Sequence, residues 1–116
     1  MLLKDISFII PVFNRPDEIN ELLNSFSELD GDKNFEIVIV EDGSTNKCDK
    51  IIKNHKNLNI SYHYKENSGP GDSRNFGMNV AKGKYFIILD SDVILPIDYN
   101  KILIKNLTKN YSDCFG

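Results

Sequence analysis

Four short apolar runs alternate with segments of helical periodicity along this chain, and that alternation constrains the fold more than any other feature. The runs are rich in β-branched and aromatic residues, which is typical of buried strands. They cover Ile6–Phe13, Phe35–Val40, Leu58–Tyr64 and Lys84–Asp90. Strands that alternate with helices predict an α/β fold of three α/β/α layers, with a mostly parallel sheet and right-handed crossovers.

Three of these strands carry further positional information. Pro11 has no backbone N–H to donate to a strand ladder, so it is expected near the end of the first strand. The third strand, Leu58–Tyr64, alternates apolar and polar side chains and is expected near an edge of the sheet. The fourth, Lys84–Asp90, has five consecutive apolar residues and is therefore expected to be buried on both faces.

The segments between and after the strands predict four helices, from apolar spacing and from residues that favour helix ends. The first helix is expected from Pro16 to Leu29, and the last from Pro96 to Leu107. The second is expected to start near Lys47, with Ser44, Thr45 or Asn46 as its cap. The third is expected to follow the glycine-rich loop and to end at Gly83. The tail Asp113–Gly116 has the composition of the beginning of another strand.

Length and composition indicate one ordinary domain. The chain has 116 residues, a net charge of −3 and no cluster of Lys or Arg, which argues against a nucleic-acid partner. Cys48 and Cys114 match no metal spacing and are expected to be reduced thiols of a cytoplasmic protein. No apolar run approaches the length of a transmembrane helix, and the first residues do not form a signal peptide.

The fourth predicted strand ends in Asp90-Ser91-Asp92. In an open α/β sheet, ligands bind at the carboxyl ends of the strands. Two carboxylates at that place are hard oxygen ligands suited to a divalent metal ion. The same tripeptide also suits a solvated turn with two surface acids, and these residues alone leave both interpretations open.

A second candidate is the glycine-rich loop Asn67–Asn75, which leads into the third helix. A helix N-terminus after such a loop favours an anion, and Arg74 could bind a phosphate or a carboxylate about one turn into the helix. An exposed arginine on a capped helix is the alternative. Gly69 and Gly71 resemble the start of a dinucleotide fingerprint, but the spacing that follows them is wrong for it.

The four loops together resemble those of the GT-A family 2 glycosyltransferases, which transfer a sugar from a nucleotide diphosphate-sugar. The motifs that carry the resemblance are Pro11-Val12-Phe13-Asn14, Glu41-Asp42-Gly43-Ser44, Gly69 to Asn75 and Asp90-Ser91-Asp92, in this order. The resemblance covers nearly the whole of residues 1–116 and implies the Rossmann-like, nucleotide-binding half of a GT-A fold.

The resemblance also implies roles for single residues. Pro11, Val12, Phe13 and Asn14 would line the nucleoside pocket, Glu41 would lie near the ribose, and Asp42 would accept a hydrogen bond from the base imide. Arg74 would close the base and phosphate end of the site, with Ser73 in place of the usual alanine. Asp92 would bind Mn²⁺ or Mg²⁺ directly, and Asp90 would lie near the ribose or a water on the metal. Gly43, Gly71 and Ser91 complete the nucleotide-sugar set.

The activity implied is metal-assisted and inverting transfer, of the hexosyltransferase type, from a UDP-sugar to a carbohydrate or lipid-linked acceptor of polysaccharide biosynthesis. The protein would be cytoplasmic and peripheral at the membrane. Family members continue beyond this length, and their second half supplies the base that deprotonates the acceptor hydroxyl. The chain is therefore expected to be a truncated form that binds the donor, has no catalytic residue of its own and does not turn over.

Two other functional classes remain open from the sequence. A non-catalytic nucleotide-binding module would keep the same pocket and lack the base. A phosphatase-like or phosphotransfer domain would use Asp90 as a nucleophile, although such domains place their Asp-x-Asp motif after the first strand and this chain has it after the fourth.

Overall fold

The structure, a computed structural model, describes residues 3–31 and 33–103. A short 3₁₀ turn (Leu3–Asp5) leads into the first strand. The strands of the described residues are β1 (Ile6–Val12), β2 (Glu36–Asp42), β3 (Asn59–Lys65) and β4 (Tyr85–Ile88). They form one parallel sheet with the order β3-β2-β1-β4, which confirms the predicted α/β fold.

The helices are α1 (Pro16–Ser27), α2 (Asp49–Ile52) and α3 (Pro70–Val80), and residues 99–103 are helical at the end of the described part. Helix α1 begins at Pro16 as predicted, with Asp17 and Glu18 in the first turn, where they interact favourably with the positive end of the helix dipole.

Helices cover both faces of the sheet, because successive strand residues point to opposite sides. On one face, Phe8 of β1 lies edge-on against Phe26 of α1 and against Phe35, with ring centroids 5.0 and 5.2 Å apart. On the other face, Ile9 of β1 packs with residues of α3. Gly77 permits that approach, since a Cβ there would lie 2.4 Å from Ile9 Cγ2. The domain therefore has the three predicted layers.

Two predictions about strand position are confirmed. Strand β3 lies at one edge of the sheet, next to β2. Pro11 is the last residue but one of β1, and the β1–β4 ladder has already ended at the pair Ile9 and Ile88. The missing N–H of Pro11 therefore leaves no gap in the ladder with β4.

The prediction that the fourth strand is buried on both faces is wrong for the described residues. Strand β4 is the outer strand next to β1, and Tyr85 to Ile88 are each half-buried. It also ends at Ile88, so Asp90 lies in the following turn, where its carbonyl accepts a hydrogen bond from Val93 N–H at 3.2 Å.

Four helix bounds also differ from the predictions. Helix α1 ends at Ser27, two residues before the predicted Leu29. Helix α2 begins at Asp49, and its N-cap is Cys48 instead of Ser44, Thr45 or Asn46, because Glu41 accepts the Cys48 N–H. Helix α3 ends at Val80, because the N–H groups of Lys82 and Gly83 bond to the side chains of Glu36 and Ser7.

The last helix begins at residue 99, not at Pro96. The Pro96 carbonyl accepts the Tyr99 N–H at 2.9 Å, and this turn precedes the helix. The rest of this predicted helix, together with Cys114 and Asp113–Gly116, lies outside the described residues. Within residues 3–31 and 33–103, every helix is too short or too polar for a membrane span.

Candidate functional site

A cleft of about 310 Å³ opens at the carboxyl ends of β1 and β2, beside the loop that precedes α3. Its lining residues are Pro11, Val12, Phe13, Asp42, Asn67, Gly69 and Pro70. The walls are mostly apolar, and Phe13 leaves 49% of its surface exposed, so its ring is available to a planar ligand. The structure thus brings together the ends of two motifs that are about 30 residues apart in the sequence.

Asp42 is the acidic residue of this cleft, and its side chain is nearly buried. Its Oδ1 accepts hydrogen bonds from Lys65 Nζ at 2.7 Å and Ser68 N–H at 2.9 Å. Its Oδ2 accepts a hydrogen bond from Gly69 N–H at 3.0 Å. Burial raises the pKa of Asp42, but the hydrogen bonds from Lys65, Ser68 and Gly69 outweigh it and hold the pKa below the usual value of 3.8.

Lys65, the last residue of β3, uses its whole ammonium group within the protein. Besides Asp42 Oδ1, its Nζ donates to the Glu66 carbonyl at 3.0 Å and to Ser68 Oγ. An ammonium has three N–H donors, so these three acceptors saturate it. Lys65 therefore connects the end of β2 to the loop of residues 66–69.

Glu41 is fully buried and is not among the residues that line the cleft. Its Oε1 accepts from the N–H and the thiol of Cys48 and from the Tyr62 hydroxyl, and its Oε2 accepts from Ser44 Oγ at 2.6 Å. Burial, together with the nearby Glu41 carboxylate, raises the pKa values of Cys48 and Tyr62 above their usual range. Glu41 therefore holds the loop after β2, and its place near the ribose stays a prediction.

Asn14 joins the loops after β1 and β2. Its φ is +53°, in the left-handed region that asparagine tolerates better than most residues. Its N–H donates to Ser44 Oγ at 2.8 Å, and its Oδ1 accepts from Asn46 N–H at 2.8 Å. Asn14 therefore shapes the cleft through the backbone of the two loops.

Gly43 is required by its conformation and by a close neighbour. Its φ is +70°, and a Cβ there would lie 2.7 Å from the backbone nitrogen of Asn67. Asn67 in turn donates from Nδ2 to the Asp42 carbonyl at 3.1 Å. Gly71, in contrast, is exposed in the first turn of α3 with open space around its Cα.

Arg74 is exposed on α3, one turn from the helix start at Pro70. Among the described residues it makes no hydrogen bond or ion pair, so its guanidinium is available to a ligand. Ser73, beside it, is fully buried, and its Oγ has no hydrogen-bond partner within the described part of the chain.

Asp90 and Asp92 are both exposed in the turn after β4, and Ser91 Oγ between them donates to Glu18 Oε1 at 3.1 Å. Residues 3–31 and 33–103 contain no group of three or more His, Cys, Asp or Glu side chains placed to hold a metal. Two free carboxylates do suit an ion whose other ligands are phosphate oxygens and water, which is how Mg²⁺ is usually bound.

Four residues at the cleft were not predicted. Lys65 was missed as a partner of Asp42, and Asn67, Gly69 and Pro70 were not assigned to the cleft wall. The relevant signal is the register of β2 against β3, which pairs Asp42 with Lys65. A sequence that shows where strands lie does not show how they align.

An apolar cleft with a buried carboxylate at the carboxyl edge of a parallel sheet is the arrangement of a nucleotide-binding α/β domain. Over residues 7–116 the sequence matches the family described as glycosyl transferase family 2, and the chain belongs to that family. This confirms the resemblance found in the loops.

Two relatives illustrate the similarity. An uncharacterized glycosyltransferase of Rickettsia conorii is 40% identical over 106 residues, which are 90% of this chain and 17% of that protein. The poly(ribitol-phosphate) β-N-acetylglucosaminyltransferase TarS of Staphylococcus aureus is 32% identical over 92% of this chain and 19% of its own length. The chain thus spans less than a fifth of these relatives.

Solved structures show the same fold. The crystal structure of TarS residues 1–349 in complex with UDP superimposes with a TM-score of 0.83, at 32% identity, over 92% of this chain and 33% of that one. A mannosyltransferase of Pyrobaculum calidifontis, in complex with GDP-Man and Mn²⁺, superimposes with a TM-score of 0.78 at 23% identity, over 94% of this chain and 32% of that one.

Proposed function

We propose that this chain is the donor-binding half of a glycosyltransferase and that it binds a nucleotide diphosphate-sugar, with UDP as the nucleotide. The observation that carries the proposal is the position of Asp42, an ionised carboxylate in a cleft whose other walls are mostly apolar. The UDP complex of TarS, a family member of 32% identity, supports the choice of nucleotide.

The cleft suits a uracil base. Uracil has an N–H between two carbonyl groups, and Asp42 Oδ2, which accepts one protein hydrogen bond, has room to accept a second. Pro11 and Pro70 offer apolar contact to the ring, and Phe13 offers an aromatic face. We assign Val12 to the same wall and Asn14, Glu41 and Gly43 to the support of the loops behind it.

The diphosphate would lie toward Arg74 and the N-terminus of α3, where Gly71 leaves space for phosphate oxygens and the helix dipole favours negative charge. Asp92 would hold Mn²⁺ or Mg²⁺, with Asp90 and Ser91 toward the ribose or a water on the metal. The metal, when bound, neutralises charge on the diphosphate leaving group.

The reaction we infer is inverting transfer of a hexose to a carbohydrate or lipid-linked hydroxyl. These 116 residues supply donor binding in our assignment, and the base that deprotonates the acceptor is assigned to residues beyond them. We therefore expect the chain to bind the donor without transferring its sugar.

Titration calorimetry with UDP, with and without Mn²⁺, tests the proposal. We expect UDP to bind more tightly with Mn²⁺, and Asp92→Ala to weaken that binding by about tenfold or more, equivalent to about 1.4 kcal/mol. Asp98→Ala, which removes an exposed acid of the same segment, is the matched control and should bind as the wild type does. No heat of UDP binding at saturating protein would refute the proposal.

Base recognition is tested separately with Asp42→Asn. UDP should lose more affinity than CDP, because the cytosine ring has no imide N–H that could donate a hydrogen bond to Asp42. Equal losses for the two nucleotides would remove Asp42 from base recognition.

A further inference from the structure

We propose that Lys65 is a positioning residue that determines base specificity: it holds Asp42 as an acceptor-only group facing the cleft and so makes the site prefer UDP over CDP. This inference rests on the proposed function and extends it to a residue outside the four motifs. It is carried by the geometry of one side chain that reaches three partners.

The first step of the argument is that Lys65 is unavailable to the ligand. Its three N–H donors are taken by Asp42, the Glu66 carbonyl and Ser68 Oγ, and only 14% of its side chain is exposed. A lysine that bound the diphosphate would keep at least one donor directed at solvent. The exposed Arg74 has that freedom, and Lys65 does not.

The second step is that Lys65 occupies one particular oxygen of Asp42. Lys65 Nζ and Ser68 N–H both donate to Oδ1, whereas Oδ2 receives only Gly69 N–H among residues 3–31 and 33–103. The free capacity of the carboxylate is therefore on Oδ2. Because Asp42 and Gly69 both line the cleft, that capacity lies where a base can reach it.

The third step is chemical. An ionised carboxylate only accepts hydrogen bonds, so it suits the N–H of uracil and opposes the ring nitrogen of cytosine, which is also an acceptor. A protonated carboxyl could donate a hydrogen bond to that nitrogen, and the site would then bind CDP as well. Within residues 3–31 and 33–103, Lys65 is the cation in contact with Asp42. The adjacent Glu41 carboxylate accepts hydrogen bonds from Ser44, Cys48 and Tyr62.

The test compares UDP and CDP binding in the wild type, Lys65→Met and Lys65→Arg. We expect the wild type to prefer UDP by about 100-fold, equivalent to about 2.7 kcal/mol, which is within the range of one hydrogen bond to a charged group. Lys65→Met should reduce that preference about tenfold, and Lys65→Arg, which keeps the charge, should retain most of it. Lys53→Met, an exposed lysine at the end of α2, is the matched control.

Two results would overturn the proposal. An unchanged preference for UDP in Lys65→Met would mean that Lys65 does not act on the base, and if both nucleotides were weakened equally, Lys65 would act on the diphosphate they share. Complete loss of the preference in Lys65→Arg, with the fold intact, would mean that charge is not what matters.

A measurement without nucleotide separates this proposal from the donor-binding one. The N–H groups of Ser68 and Gly69 donate to Asp42, so their hydrogen exchange should be slowed in the wild type and should become faster in Lys65→Met, while the amides of β1 and β2 stay protected. If the amides of β1 and β2 also lose protection, Lys65→Gln replaces Lys65→Met in both experiments.

Binding of neither nucleotide by the wild type would refute donor binding and the base preference with it. The amide exchange would still decide whether Lys65 orders the loop of residues 66–69. Unchanged exchange at Ser68 and Gly69 would refute that part as well.

Discussion

The N–H of Asn14 and the Oγ of Ser44 are 2.8 Å apart, and this hydrogen bond joins the loop after β1 to the loop after β2. Ser44 passes the connection on, since its hydroxyl donates to the buried Glu41 carboxylate at 2.6 Å. One side of the cleft is thus supported by a chain of polar contacts that starts at a residue with positive φ.

Substitutions of Asn14 should separate the side chain from the backbone conformation. Asn14→Gly removes the acceptor for Asn46 N–H and should lower the free energy of unfolding by about 1 kcal/mol. Asn14→Ala adds the strain of a left-handed residue and should cost about 1 kcal/mol more. Urea unfolding measures both. Equal stability of the two variants would show that the positive φ carries no cost.

Replacing Ser73 with alanine should not lower the stability of the protein. Its hydroxyl is fully buried without a partner among the described residues, so Ser73→Ala should raise the free energy of unfolding by about 1 kcal/mol or leave it unchanged. Ser25→Ala is the matched control, because Ser25 Oγ bonds to the Leu22 carbonyl and accepts Leu95 N–H. It should be destabilised by about 1–3 kcal/mol. Thermal unfolding that ranks the two variants the other way would contradict this.

Loss of the Glu41 charge alone should lower the stability of the protein. Glu41→Gln places an amide nitrogen among groups that all donate, and the free energy of unfolding should fall by about 2–3 kcal/mol. Tyr62→Phe removes one of these donors and should cost about 1.5 kcal/mol. The exposed Glu21→Gln on α1 is the control, expected within about 0.5 kcal/mol of the wild type. A Glu41→Gln variant as stable as that control would show that the buried network is dispensable.

His55 should make stability depend on pH near neutrality. It is buried beside Asn20, and burial lowers its pKa from the usual 6.5. The unfolded chain therefore binds a proton that the folded chain resists. The stability that the neutral His55 side chain contributes is fully present above pH 6.5 and is lost as the pH falls below that value.

Urea unfolding between about pH 8 and pH 5 should show that loss in the wild type and not in His55→Gln. Parallel pH profiles for the wild type and His55→Gln would refute the assignment.

Much of the fold could be predicted because its signals are local. Apolar runs mark β1 to β3 to within two residues, and the alternation of β3 correctly places it at an edge. The burial of β4 could not be predicted from its residues, because burial depends on what lies beside a strand. The start of the last helix depended on a turn between Pro96 and Tyr99 that apolar spacing does not reveal.

The site was predictable where parallel strands end side by side, as Pro11 and Asp42 do. It was not predictable where register decides, as for Lys65. Glu41 and Asp42 illustrate what a strand pattern leaves open. Neighbouring residues of a strand point to opposite faces, but the sequence does not reveal that Glu41 accepts hydrogen bonds from Ser44, Cys48 and Tyr62.

The order of the strands sets the separation between the two ends of the proposed site. Asp42 ends β2, Asp90 and Asp92 follow β4, and β1 lies between these two strands. Neighbouring strands are about 4.8 Å apart, so β2 and β4 lie about 10 Å from each other across the sheet. If Asp42 binds the base and Asp92 the metal, as we propose, a free base or a free diphosphate would contact one of these two strand ends. A nucleotide that carries both groups would contact the two ends at once.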